Sequence, residues 1–430
     1  MARFLFATMP VPGHVAPIAP VAARLVARGH TVQWYTSSVF RRSVEATGAT
    51  FRAIASTLDY GDSDYNTCFP ERVGLSGLRQ VVFDFEHLFV GAVEGYVDDL
   101  RAIASEFGPD ALVIDPAVGA GWVLEAVDGM AVATINITVL GLQSRDTAPF
   151  GLGLPPTSGR LGRVRNRALL WAVDHVIFGR VNRAYRSLAR RRGWPVVAFR
   201  PRTSRFLFLQ PSIPELEYPT SDLPPQVHFI GTLRPDPPTS FAEPAWWADV
   251  VSARAADRAV VLVTQGTIAT DPDQLIAPTL EALASEDVLV VVAGADPARL
   301  AAVPPNARVA PFVPFDPVMP LVDVFVTNGG FGGVMIALSH GVPVISAGNT
   351  EDKAEVGARV THAGVGINLK TNRPPPAVVA AAVRKVLDED HYRERARSIS
   401  AELARHDAHE TAVHLLEQLA ATQQPVLSRA

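Results

Sequence analysis

The sequence predicts an α/β protein made of two Rossmann-like, doubly wound domains facing each other across a cleft. Two observations carry this. Short apolar runs alternate with helix-patterned segments over residues 3–138, and the alternation resumes over 259–363; strands that alternate with helices pair as parallel sheets. The chain has 430 residues, too many for one ordinary core, so two domains of about 200 residues each are expected.

Each element follows from local pattern. "RFLFATM" (3–9) reads as the first strand. Its apolar run follows Arg3 as a leader's would, but Pro10 ends it short of the ~7–15 residues a signal peptide needs. "APIAPVAARLVARG" (16–29) is a helix closed by Gly29, and "HTVQWYTS" (30–37) the next strand. "PDALVID" (109–115), "GAGWVLEAVDG" (119–129) and "AVATINIT" (131–138) give strand, helix, strand.

Over 165–193, Leu169, Leu170, Val173, Val176, Ile177, Val181, Tyr185 and Leu188 recur at helical spacing, and arginines crowd the end. This reads as a helix packed on its own domain with a solvated basic face; a helix lying on a membrane surface is the alternative.

Pro-rich stretches at 212–226 and 233–244 read as a stiffened interdomain connection. Strands then return at 259–266, 287–294, 307–313, 322–328 and 342–348, with helices at 271–285, 333–340 and 352–363 and two more near 376–387 and 391–420. The expected division is 1–215, a linker 216–245, a second domain 246–405, and a last helix, 406–430, crossing back to the first domain.

Composition narrows the class. Hydrophobic residues make up 48% and charged residues 19%, and mean hydropathy is +0.16, as in a well-cored enzyme rather than a disordered or coiled-coil chain. Net charge is −4, which argues against nucleic acid as the main partner. The lone Cys68 excludes an intrachain disulfide and a cysteine-cluster metal site. Apolar segments fall short of the ~20 residues that span a bilayer, so a cytoplasmic protein without an integral membrane segment, monomer or homodimer, is expected.

The stretch "VDVFVTNGGFGGVMIALSHGVPVI" (322–345) bears most directly on function. A buried strand runs into Asn-Gly-Gly-Phe-Gly-Gly and then a helix. Glycines let a ligand approach the backbone closely, and the helix that follows offers unpaired N–H groups at its positive end. Together they suit a phosphate; tight strand–helix packing is the competing reading. It is not a Walker A loop, since no Gly-Lys-Ser/Thr follows. Other strand-end loops reach the same edge. Thr267, beside Gly266, suits a second phosphate contact, Phe312 a nucleobase, and the Asp352 carboxylate neighbouring hydroxyls. An aromatic platform, a phosphate nest and a hydroxyl acceptor describe a nucleoside-diphosphate sugar.

On these residues the chain resembles the GT-B glycosyltransferases that use nucleotide sugars to decorate natural products, especially the actinobacterial ones acting on macrolides and other antibiotics. The resemblance spans nearly the whole chain. It is densest over 307–369, with support from "PVPGHVAP" (10–17), "LQPSIPELEYP" (209–219) and "VHFIGTL" (227–233). It implies the GT-B fold and a UDP- or dTDP-sugar as co-substrate, with no other cofactor. In the family the turn usually begins with His and carries Ser or Thr at its sixth place; here Asn328 and Gly333 stand there. More of the anion binding then falls to the N–H groups of Gly330, Phe331, Gly332 and Gly333. Phe312 and Phe315 replace the usual Trp and Gln near the base, with the Val313 backbone on the pyrimidine edge. Asp352 and Lys353 replace an acid–Gln pair on the sugar; Lys353 is suited to a sugar hydroxyl or a phosphate, or is an exposed lysine without a role.

The resemblance makes His14, at the end of the first strand, the general base for the acceptor hydroxyl. An imidazole suits that task because its ordinary pKa, ~6.5, lies near working pH. Asp115, ending "ALVID" at the same sheet edge, matches the family's partner carboxylate that orients and charges such a base; capping the segment at Pro116 is its plainer role. An inverting, metal-independent transfer is implied. "DSD" (62–64), the Asp-X-Asp that could hold a divalent ion, lies in a variable loop of the first domain.

A hydrophobic small-molecule acceptor is expected over 56–95 and 136–190, with Phe69, Phe85, Trp122 and Phe150 as candidate wall residues. Rival readings are a non-catalytic relative of the same fold and a membrane-docked transferase with a lipid acceptor.

Overall fold

A computed structural model describes residues 1–428 except 62–64, 76, 158, 237–242 and 267–270. Two sheets, every pairing in them parallel, form its centre. The first contains β1 (Arg3–Ala7), β2 (Thr31–Thr36), β3 (Thr50–Ala53), β4 (Ala111–Ile114), β5 (Val132–Ile135), β6 (Leu207–Gln210) and β7 (Val227–Phe229), in the order β3-β2-β1-β4-β5-β6-β7. The second contains β8 (Ala259–Thr264), β9 (Val288–Ala293), β10 (Ala307–Ala310), β11 (Val324–Thr327), β12 (Val344–Ser346) and β13 (Gly366–Asn368), in the order β10-β9-β8-β11-β12-β13. Helices cover both faces, so central strands such as β9, "VLVVVA", are buried along their whole length.

The strand order reverses beside β1 in the first sheet and beside β8 in the second. At such a switch point the loops leaving two neighbouring strands part to opposite faces and open a crevice beyond their carboxyl ends. His14 follows β1 and Asp115 follows β4, while Gln265 follows β8 and the glycine turn follows β11, the strand pairs that flank these two crevices.

Three features differ from the linear reading. β7 lies inside the stretch read as linker and pairs with β6, Phe208 level with Val227, so the first sheet extends to Phe229. The tail holds three helices rather than two, Pro376–Asp388, Asp390–Leu403 and Ala408–Thr422. The last buries Ala412, Leu416 and Leu419 among Phe4, Val113 and Leu209 of the first domain's core, because its apolar positions recur every three or four residues on one face.

The arginine-rich segment is two helices, Arg160–Ala172 and Gly179–Arg192, joined by a π-helical turn over Val173–Ile177. Val181, Tyr185 and Leu188 are buried in the domain, while Leu161, Val164, Trp171 and Val176 are exposed. Among the described residues no helix is long and apolar enough to cross a membrane.

Candidate active site

β1 and β4 are neighbours, with Ala7 level with Ile114, so the residues just beyond them meet. After β1 the chain turns into the short helix Pro12–Val15, which carries His14. After β4 comes Asp115, fully buried. The backbone N–H groups of Met9 and Ala117 donate to its two oxygens at 2.6 and 2.7 Å, which fixes the carboxylate. His14 Nδ1 stands 3.3 Å from Asp115 Oδ2, off the angle of a formed hydrogen bond. Burial depresses the imidazole, but the charge of Asp115, and then those of Asp352 and Glu351, outweigh it and hold His14 above its usual range.

Those last two carboxylates belong to the other domain. The loop after β12 leads through Glu351 and Asp352 into the helix Lys353–His362. The Thr138 hydroxyl, just past β5, donates to Asp352 Oδ2. Burial pushes Asp352 upward against the opposing pull of Thr138 and Lys353. The Lys353 ammonium pairs with Glu351.

The glycine turn leaves β11. Gly329 has φ +90°, a conformation L side chains rarely adopt, and a Cβ there would stand 2.6 Å from Ser346 Oγ. Gly330 caps the helix Phe331–Ser339, whose first N–H groups have no turn before them to accept their bonds. No atom lies within 4 Å of a Cβ built on Gly332, so the turn is open there. Gly333 packs beneath, on Phe325 and Phe315. Phe331 lines a small cavity between the domains with Val139, Glu217 and Arg359.

Other expected donor residues divide. Phe312 is 79% exposed beyond β10, an uncommitted ring at the crevice mouth. Val313 is buried in the second core, and Phe315 lies edge-on to Phe325, 5.6 Å between centroids, so that ring serves packing. The Asn328 side-chain amide donates to the Gln265 carbonyl, tying the β11 loop to the β8 loop. Thr267 lies outside the described residues, as does the "DSD" stretch at 62–64.

The four acceptor candidates do not form one wall. Phe69 joins Phe83 and His87, the latter two stacked at 4.1 Å. Phe85 stacks on Phe89 at 4.8 Å and meets Phe178 edge-on. Trp122 packs with Tyr185 under the Arg202 guanidinium. Phe150 presses on Gly141 and against the second domain's core.

Residues without a sequence signal join the domains. Arg359 is 7% exposed and bonds Glu217, Glu355 and the Leu140 carbonyl. Glu355 accepts from the N–H groups of Gly151 and Gly153 at 2.9 and 2.8 Å. Thr138 has one signal, its place at the carboxyl end of "AVATINIT"; Glu351 and Arg359 have none.

Residues 277–419 match the family described as Erythromycin biosynthesis protein CIII-like, C-terminal domain. The chain is 42% identical to 4'-demethylrebeccamycin synthase of Lentzea aerocolonigenes, over 97% of this chain and 99% of that one. It is 33% identical to UDP-glycosyltransferase 2 of Phaeomoniella chlamydospora, over 97% and 95%. Among solved structures, the glycotransferase of kitacinnamycin superposes with a TM-score of 0.74 at 22% identity, over 97% of this chain and 98% of that one.

Proposed function

The chain belongs to the natural-product glycosyltransferases of GT-B architecture, and we propose that it moves a sugar from UDP or dTDP to a hydroxyl of a hydrophobic natural product, with inversion and without a metal ion. The observation that carries this is the His14–Asp115 pair facing the Glu351–Asp352 loop across the cleft, near enough for both acids to act on the imidazole.

In this mechanism His14 Nδ1 is turned to Asp115, which leaves Nε2 for the acceptor. Nε2 takes the hydroxyl proton as that oxygen attacks the anomeric carbon. The bond from carbon to the diphosphate oxygen breaks on the opposite side and its electron pair stays with the leaving group. Asp115 stabilises the imidazolium that results. N–H groups of Gly330, Phe331, Gly332 and Gly333 meet the charge that grows on the diphosphate, a role fixed dipoles perform without a cation. Asp352 orients the sugar through its hydroxyls, Phe312 lies against the base, and the Val313 backbone meets the pyrimidine edge. Phe69 and Phe85, with their clusters, hold the acceptor. The proposed setting is the cytoplasm.

The test is transfer itself. The chain is incubated with UDP- and dTDP-sugars and a panel of polycyclic and macrolide acceptors, with EDTA present, and glycoside is sought by mass spectrometry. Product of inverted anomeric configuration is expected. Retained configuration, or transfer that stops with EDTA, overturns the mechanism.

A further inference from the structure

The glycine turn carries a second charged device. The Lys353 stem is packed over two glycines: a Cβ on Gly348 would fall 2.9 Å from Lys353 Cβ and Cδ, and one on Gly329 3.6 Å from Lys353 Cβ. Its side chain is 12% exposed, whereas Glu351, its ion-pair partner, is 55% exposed. Glu351 also holds φ +55°, a left-handed conformation that residues with a Cβ enter reluctantly. Under the turn, Ser346 Oγ is fully buried and has no hydrogen-bond partner. A cation packed over the glycine turn, with a solvent-side carboxylate bent back onto it and an unsatisfied hydroxyl below, is a site whose ammonium is held by an exposed, exchangeable partner.

We propose that Glu351 is an internal stand-in for the donor's diphosphate: in the empty enzyme it occupies the Lys353 ammonium, and donor binding exchanges that carboxylate for phosphate oxygens. This rests on the donor assignment above. Lys353 is thereby a diphosphate ligand rather than a surface lysine, and Glu351 a competitor that keeps the cation from weaker anions. A nucleoside diphosphate brings more negative charge to the site than a monophosphate and displaces the carboxylate more readily, so the exchange sharpens selection for diphosphates. Freed of Lys353, Glu351 remains beside His14, where its charge already favours the imidazolium.

Calorimetric titration of the full chain with UDP and UMP, or with dTDP and dTMP if thymidine nucleotides bind the parent better, tests this without any sugar present. Lys353→Gln is expected to lower the preference for diphosphate over monophosphate by roughly tenfold or more, and Lys353→Arg to preserve it, because charge-assisted bonds to phosphate are the strong ones. Glu351→Gln is expected to tighten UDP several-fold by removing the competitor. An unchanged preference in Lys353→Gln, or weaker UDP binding in Glu351→Gln, overturns the exchange while leaving the glycosyltransferase reading intact. A parent chain that binds no nucleoside diphosphate overturns the donor assignment, and the exchange falls with it.

Discussion

The Thr138 hydroxyl donates to Asp352 Oδ2, a contact between the loop behind β5 of one domain and the proposed sugar loop of the other. Thr138 takes a lone pair of the carboxylate that a sugar hydroxyl would use under the proposed function. Asp352→Asn keeps the shape but weakens acceptance from hydroxyls. A hydrogen bond to a charged group contributes about 1.5–3 kcal/mol, so kcat/KM for the donor is expected to fall by roughly 10- to 100-fold while the acceptor KM stays near the parent's. Initial rates with each substrate varied in turn check this.

His14→Ala is expected to lower kcat by about 10²–10⁴-fold, the usual contribution of a placed general base. The imidazole must be neutral to act, and its pKa is held above the ordinary value, against burial, by Asp115 first. The rate therefore falls as pH drops through a value above ~6.5, the unperturbed histidine pKa. Asp115→Asn removes the main upward influence and is expected to move this acid limb to lower pH as well as slow the reaction. A limb that stays in place in Asp115→Asn contradicts the pairing.

Gly348→Ala should be damaging, since Gly348 is buried and its Cβ would fall 2.0 Å from the Asn328 carbonyl oxygen. The backbone must move, which separates the sugar loop from the glycine turn. A loss of about 1–3 kcal/mol is expected, seen as a lower denaturant midpoint, together with loss of nucleotide binding. Gly332→Ala meets nothing within 4 Å and should fold like the parent, which makes it the control for the stability measurement.

The buried seam gives a pH-dependent stability. Burial pushes Glu217 up to about 7, against the pull of Arg359. Between about 4.5, the ordinary value for a glutamate, and about 7 the folded chain thus holds a proton that the unfolded chain releases. The stabilisation is full below that window and is lost as pH rises through it, by at most ~1.4 kcal/mol per pH unit for one proton. Glu217→Gln should flatten this slope in urea unfolding. Arg359→Met leaves Glu217 and Glu355 buried without their cation and should cost about 3–5 kcal/mol.

Much of the site was legible because chemistry and punctuation coincide along the chain. "PVPGH" and "ALVID" end strands that parallel pairing brings to one edge, and the family resemblance singles out His14 and Asp115 there. The glycine turn was legible for the same reason. Side-chain direction was not. Phe315 is as aromatic as Phe312, yet one packs on Phe325 and the other is left at the mouth. Asn328 ties two loops together although its position marks it for phosphate. β7 escaped notice because three residues between prolines carry too little periodicity to read as a strand.

By itself the sequence determined the α/β class, the two sheets and the glycine turn, since periodicity and turn chemistry depend on near neighbours in the chain; the roles expected of His14 and Asp115 came from the family resemblance. Only the tertiary structure decided that Thr138 meets Asp352 across 214 positions, that Arg359 joins Glu217 to Glu355, and that Glu351 pairs with Lys353 over the glycine turn. Those contacts depend on where the domains come to rest and on which charges must be paired once water is excluded, and neither is written in any local window of residues.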